Sequence, residues 1–197
     1  MNIENAVPES SLSKPRPRSR GVLAIGTALS ILTLVADGVS AGPESRVPWT
    51  AWHHTRPLSP GAIRLIEDAS ERSQIVTGLM KALEKTDLLV YISDSMPPGV
   101  TTGPASYLTF LSSDQKGRYL MVRIDSFRLS PSERIVALGH ELQHALEVAA
   151  APEVKDAASL AKLYRRIGRE SPGGRFESEA AHDMGNRVRA SLDRVGQ

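Results

Sequence analysis

Apolar residues recur at helical spacing in four parts of the chain, and helix start or stop signals mark their ends. Ser59 and Ser130 each precede a proline that suits the first helical position, and Asp156 can cap a later helix. Glu133 stands three residues after Ser130 and completes a capping box. Residues 169–175 contain Pro-Gly-Gly and are expected to form a loop. The predicted helices cover residues 59–85, 130–151, 156–168 and about 176–194.

Short apolar runs between the first two helices predict β-strands. The predicted strands lie at 88–92, near 107–111 and at 118–125. In the last of them Leu120, Val122 and Ile124 share one face. Residues 93–106 are rich in proline and glycine and predict a loop, whereas 112–117 predict the turn of a hairpin. The predicted fold class is α+β, with about four helices beside a small sheet of about three strands.

Length and composition limit the possible classes of protein. The chain has 197 residues, which is enough for one domain with its own core. It has no cysteine, so a metal site would need histidine and carboxylate ligands, and no disulfide framework exists. The net charge is only +2, so a dominant nucleic-acid interface is not indicated.

The first 41 residues have the organisation of an export signal. Four basic residues precede an apolar run at 21–36, and small residues at 39–41 suit a signal peptidase. We predict a signal peptide over 1–41, or an N-terminal membrane anchor if it is not cleaved, and export to the periplasm or the extracellular space. Residues 42–58 are expected to be an irregular arm held by Trp49 and Trp52, and 59–197 to be the metal-binding domain.

The motif His-Glu-x-x-His lies in the second predicted helix, as His140, Glu141 and His144. Residues four apart share a helix face, so both imidazoles can point at one ion. Neutral imidazoles are good zinc ligands, and the glutamate of this motif is the usual general base of a zinc hydrolase. The helix is apolar on nearly all sides, which indicates a buried helix along a cleft. We therefore predict that His140 and His144 bind zinc and that Glu141 is catalytic.

A catalytic zinc site normally has three protein ligands, and the last predicted helix offers Glu177 and Glu179 for the third. On a helix, Glu177 falls within an apolar face, where an unpaired carboxylate is costly, and Glu179 falls on the other side. Glu177 is therefore the preferred ligand and Glu179 the second choice. A salt bridge from Glu177 to Arg165 or Arg166 is the alternative. Glu147 shares the imidazole face and is expected to orient an imidazole or an arginine.

These residues resemble the zincin metallopeptidases of the gluzincin type, whose third ligand is a glutamate from a downstream helix. The closer likeness is to small exported bacterial proteins that carry His-Glu-Leu-x-His-Ala-x-Glu followed by Phe/Tyr-Glu-Thr/Ser-x-x-Ala. Here these motifs are residues 140–147 and 176–181, and the likeness extends over about residues 60–195. The first motif is fairly specific for zinc, the second is weak alone, and the two in this order are stronger evidence.

The resemblance implies a minimal zincin-like domain made of a packing helix, a small sheet, the metal helix and the ligand helix. It implies a zinc metallopeptidase in which His140, His144 and Glu177 hold the ion and Glu141 moves a proton from the attacking water to the leaving amine. A full gluzincin also has a second subdomain that closes the cleft, and the predicted elements here leave no stretch for one. The donor to the oxyanion is left open among Tyr91, Tyr107, Tyr119 and Tyr164.

The alternative is a different class of function, a non-catalytic module of the cell envelope that binds zinc structurally. A structural site gains nothing from a carboxylate beside the metal, so Glu141 favours catalysis. The expected partner is a peptide or protein substrate, with no nucleic acid, and with a membrane only if the leader remains attached. The sequence does not predict the cleavage preference or the oligomeric state.

Overall fold

The computed structural model describes residues 48–97, 99, 102–171 and 175–195. The predicted targeting segment, 1–41, and the first part of the predicted arm lie outside the described residues. Within the described residues the fold is α+β, as predicted, with five helices, a four-stranded sheet and a two-stranded sheet. None of the helices described is long and apolar enough to cross a membrane.

The central sheet has the strand order β1-β2-β4-β3 among the elements of the described chain. Those elements are β1 (Thr55–Pro57), α1 (Pro60–Arg72), α2 (Gln74–Leu83), β2 (Leu88–Ser93), β3 (Ser106–Ser113), β4 (Arg118–Ile124), α3 (Pro131–Ala149), α4 (Ala157–Ile167), β5 (Gly168–Ser171), β6 (Arg175–Ser178) and α5 (Glu179–Val195). β1, β2 and β4 run parallel, and β3 pairs antiparallel with β4, so the predicted hairpin is present. β3 consequently forms one edge of the sheet.

Burial in the sheet follows the predicted alternation. Leu120, Val122 and Ile124 of β4 have no exposed surface, because this face packs against the helices. The stretch predicted as an irregular arm contributes β1, whose Thr55 pairs with Val90 of β2. Trp52 precedes β1 and is only 5% exposed, so it holds this part of the chain to the core.

The first predicted helix is two helices. α1 ends and α2 begins at Ser73, whose backbone is extended (φ −139°, ψ 101°). The Ser73 hydroxyl accepts a hydrogen bond from the Val76 N–H, 3.3 Å away, and thereby caps α2. Serine competes with helix continuation through such local hydrogen bonds. The apolar stripe continues across this position, so periodicity alone predicted one helix.

Side-chain hydrogen bonds hold both ends of α3. At its start the predicted capping box is present, with Ser130 and Glu133 each bonded to the other's backbone N–H. At its end the buried guanidinium of Arg118 donates to the carbonyl oxygens of Val148 and Ala151, both at 2.9 Å. Both carbonyls also accept a backbone N–H from the turns that follow α3, so the guanidinium from the sheet is an additional bond that holds the end of this helix in place.

The last helix begins later than predicted, and the predicted loop before it contains strands. β5 and β6 pair as an antiparallel hairpin, and α5 starts at Glu179. The Ser178 hydroxyl accepts a hydrogen bond from the Ala181 N–H at 3.1 Å, so Ser178 caps α5. Periodicity could not reveal this boundary, because apolar residues continue back to Phe176. Glu177 therefore lies in a strand and not on the helix face that the sequence predicted.

α3 and α5 cross closely at two glycines. A Cβ atom added to Gly139 would lie 2.7 Å from Cγ2 of Val188 on α5. A Cβ atom added to Gly185 of α5 would lie 3.6 Å from Nδ1 of His140. The absence of side chains at these positions lets the backbones of the two helices approach, and this brings the start of α5 beside the histidines of α3.

We predict that Gly139→Ala lowers the free energy of unfolding by about 1–3 kcal/mol, as overpacking of a core typically does. Gly78→Ala is the matched control, because Gly78 lies within α2 and its added Cβ would meet nothing within 4 Å. That control should be neutral, or stabilising by up to about 1 kcal/mol. Denaturant unfolding measures both variants, and equal effects would contradict the close crossing. Val188→Ala should partly restore the stability lost in Gly139→Ala.

Candidate metal centre

His140, His144 and Glu177 form a group close enough to bind one metal ion. Their ligand atoms all lie within 4.8 Å of one another. Oε1 of Glu177 is 3.1 Å from Nε2 of His140 and 2.8 Å from Nε2 of His144. The two imidazole rings are edge to face, with centroids 4.8 Å apart. The three side chains predicted as ligands from the sequence are therefore brought together.

Two different elements supply this group. α3 presents His140 and His144 one helical turn apart, as their spacing predicts. Glu177 comes from β6, two residues before α5 begins, and so reaches the histidines from a strand. The sequence signal for this arrangement was Ser178, which is a good helix cap and places the helix start after Glu177.

The second choice for the third ligand lies elsewhere. Glu179 is exposed and forms an ion pair with Arg169 at 3.1 Å. The alternative salt bridge is also absent: Arg166 pairs with Glu153 at 2.8 Å, and no ion pair joins Glu177 to an arginine within the described ranges. Among the side chains that the structure describes, the ion pairs of the Glu177 carboxylate are with the two imidazoles.

Behind His144, a hydrogen-bonded chain fixes the orientation of the ring. Oε2 of Glu147 is 2.9 Å from Nδ1 of His144, and the Ser178 hydroxyl donates to Oε1 of Glu147 at 2.5 Å. An ionised carboxylate can only accept, so Glu147 keeps a proton on Nδ1 and leaves Nε2 for a metal. The Tyr164 hydroxyl donates to the carbonyl of His144 at 3.2 Å, and its ring contacts the imidazole edge to face. Sequence reasoning expected the role of Glu147 but missed Ser178 and the packing of Tyr164.

The acidic neighbours determine the protonation of the metal-free group. Burial opposes a charge on His144, but the hydrogen bonds with Glu147 and Glu177 outweigh it and raise the pKa of His144 to about 10. Burial likewise opposes the ionisation of Glu177, yet His140 and His144 hold its pKa well below the usual range. Burial, together with the nearby Glu147, raises the pKa of Tyr164, so its hydroxyl stays protonated. The metal-free group is thus an imidazolium paired with carboxylates.

Glu141 lies beside this group at the base of a cleft. Its side chain is buried, and the Ser106 hydroxyl of β3 donates to its Oε1 at 2.7 Å. No hydrogen bond to its Oε2 is present among the described residues, so this oxygen is left for a ligand. Burial raises the pKa of Glu141, against the opposing effect of His144 and His140. A buried carboxylate of this kind can exchange a proton with a bound molecule.

The cleft extends to both sides of the three ligands. A cavity of about 360 Å³ lies toward α4, and one of about 300 Å³ lies toward the start of α3. Both cavities are bordered by Pro104, Ser106, Glu141 and Glu177. Of the four tyrosines considered for the oxyanion, Tyr107 and Tyr164 border the larger cavity, whereas the hydroxyl of Tyr119 contacts Asp114 in the β-turn.

Comparisons of the chain with protein-family models, with curated proteins and with solved structures found no match. The chemistry of the site is therefore inferred from its own residues.

We predict that Glu177→Ala weakens Zn²⁺ binding by more than about 100-fold, because it removes one of the three candidate ligands. The loss should exceed the roughly 10–100-fold loss that follows when only a hydrogen-bond partner of a ligand is removed. Glu179→Ala, two residues further along the chain, is the matched control and should bind like the wild type. Isothermal titration calorimetry measures both affinities. Equal losses, or a loss only in Glu179→Ala, would contradict the ligand set.

We also predict that Zn²⁺ affinity rises with pH, by up to about tenfold per unit below pH 10, because the ion must displace a proton from His144. The effect on stability has the opposite sign: the raised pKa of His144 stabilises the metal-free fold fully below the ordinary pKa of histidine, and this stabilisation is lost as the pH rises through 10. In Glu147→Gln the proton on His144 is held less strongly. The Zn²⁺ affinity should therefore stop rising at a lower pH than it does in the wild type. Titration calorimetry in buffers of different ionisation enthalpy measures the proton released. No proton release at neutral pH would contradict the assignment.

Proposed function

We propose that this protein is a zinc-dependent hydrolase, and specifically a metallopeptidase that cleaves peptide bonds by means of a zinc-activated water. One observation carries the proposal: two imidazoles of a His-Glu-x-x-His helix and the carboxylate of Glu177 converge, with Glu141 beside them in an open cleft. When bound, zinc lowers the pKa of a coordinated water to about 7 and polarises a carbonyl.

The donor set fits zinc. Two nitrogen ligands and one carboxylate oxygen are the set found in one class of catalytic zinc sites, and three ligands leave a position open. Glu147 binds Nδ1 of His144 and leaves Nε2 toward Glu177, which is the tautomer that a metal requires. The chain supplies no thiolate, which argues against the metals that prefer sulfur.

Glu141 supports catalysis over a purely structural role for the metal. Ser106 holds Oε1, so the carboxylate is fixed while Oε2 remains able to accept a proton from water. The same carboxylate can return the proton to the leaving amine, since Glu141 borders both cavities. A structural zinc site is closed by a fourth protein ligand, and no fourth acid or histidine joins the group within the described chain.

The position of β3 suits an extended peptide substrate. β3 is an edge strand, and Ser106 and Leu108 border the cavity beside Glu141. Backbone groups on a free strand edge can pair with an added strand, which gives affinity through main-chain hydrogen bonds. This pairing would place the substrate along the cleft with its carbonyl groups near the ligands. Export of the mature domain is part of the proposal and depends only on the sequence of the first 41 residues.

We predict that Glu141→Gln keeps the metal and reduces peptide hydrolysis by at least about 10²–10⁴-fold, the usual contribution of a general base. The metal content of the purified protein, and the hydrolysis of a quenched-fluorescence peptide library, measure the two properties separately. Glu179→Gln is the control for the change of charge and should retain activity. Wild-type protein that binds zinc but cleaves no peptide would instead favour a non-catalytic zinc-binding module. Equal turnover by Glu141→Gln would contradict its role as the base.

A further inference from the structure

We propose that Arg165 determines the substrate specificity of the larger cavity by binding a carboxylate next to an apolar residue of the substrate. This inference rests on the proposed peptidase function and adds the class of substrate. Arg165 borders the same cavity as Glu141, His144 and Glu177, and it lies on α4, which contributes several residues to the wall of that cavity.

The cavity itself suits a large apolar side chain. Its volume of about 360 Å³ is within the range of small-molecule and peptide pockets. Away from the metal ligands, its walls are mainly apolar or aromatic. The apolar and aromatic residues of these walls are Pro104, Tyr107, Leu108, Ala157, Leu160, Ala161, Tyr164 and Phe176. An aliphatic or aromatic residue of a substrate would bury its surface there.

The basic residues around the end of α4 differ in how they are paired. Arg166 pairs with Glu153 at 2.8 Å, and Arg169 pairs with Glu179 at 3.1 Å. Arg165 is exposed and has no hydrogen bond or ion pair among the residues that the structure describes. Of these three arginines, the one that borders the cavity is thus the one without a carboxylate partner.

The acids of the cavity do not supply the missing partner. Glu177 is engaged by both imidazoles, and Glu141 is held by Ser106. A guanidinium group binds carboxylates with two parallel hydrogen bonds, and this geometry distinguishes a carboxylate from an amide. The charge of Arg165 is therefore complementary to an anionic group of the ligand.

The smaller cavity does not provide an equivalent cation. Arg189 borders it together with Glu133, so an acid of the protein already faces this arginine. Hydrogen bonds with Ser130, and more weakly the charge of Arg189, hold the pKa of Glu133 below its usual range. The preference for a carboxylate is consequently assigned to the side of α4.

The test measures binding without turnover, on the zinc-loaded Glu141→Gln protein and on the metal-free wild type. The probes are fluorescent peptides with one leucine or phenylalanine, and Glu or Gln at each neighbouring position. A second pair differs only in a free or an amidated carboxyl terminus, so side-chain and terminal carboxylates are distinguished. Fluorescence anisotropy should show that one carboxylate peptide binds about five- to tenfold more tightly than its amide partner. Added salt should reduce this difference.

Arg165→Gln should abolish the preference, and Arg165→Glu should reverse it in favour of the Gln peptide. Arg166→Gln is the matched control on the same helix and should keep the preference. Equal binding of all Glu and Gln peptides by the parent protein, or a preference that survives in Arg165→Gln, would overturn the inference. Hydrolysis by the wild type tests the proposed function independently. Cleavage without a carboxylate preference would refute only the role of Arg165, and a preference without cleavage would refute only the peptidase activity.

Discussion

One carboxylate oxygen lies between two imidazoles, and the rest of the centre depends on this contact. Oε1 of Glu177 is within 3.1 Å of Nε2 of both His140 and His144, although 33 residues separate it from the nearer histidine in sequence. Without a metal, such contacts need a proton on a ring, which is consistent with the raised pKa of His144. A proton and a metal ion thus compete for one place, and the fold determines only that the three side chains meet there.

Rigid elements hold that meeting point. α3 is bonded at its start by its own capping box and at its end by Arg118 from the sheet. Its crossing with α5 permits no side chain at Gly139. Ligands on fixed secondary structure keep their geometry better than ligands on free loops, because their backbones cannot adjust independently. The cleft, in contrast, is bordered by β3 and α4, which leave it open on both sides of the ligands.

The sequence predicted the parts of this fold that follow from local spacing. The α+β class, the buried α3, the β3–β4 hairpin and the grouping of His140 with His144 all follow from periods of 3.6 or 2 residues. The three residues of β1 and the β5–β6 hairpin were missed, because short strands are defined by backbone partners that periodicity does not reveal. Glu177 is preferred from the sequence because a helix would bury its carboxylate in an apolar face. In the structure it lies in β6 with its side chain 38% exposed, so the right residue follows from an arrangement that the sequence does not predict.

Ser178 connects the boundary of a helix with the chemistry of the centre. A hydroxyl group has one donor hydrogen and can also accept. Ser178 accepts from the Ala181 N–H, which starts α5, and donates to Glu147, whose other oxygen holds Nδ1 of His144. The residue before it is Glu177, so the same turn of chain that ends the strand delivers a ligand and orients another. A helix that continued back through residue 178 would remove the capping geometry, and with it the bond that fixes the tautomer of His144. The end of β6 is therefore part of the candidate metal centre and not only a connection to α5.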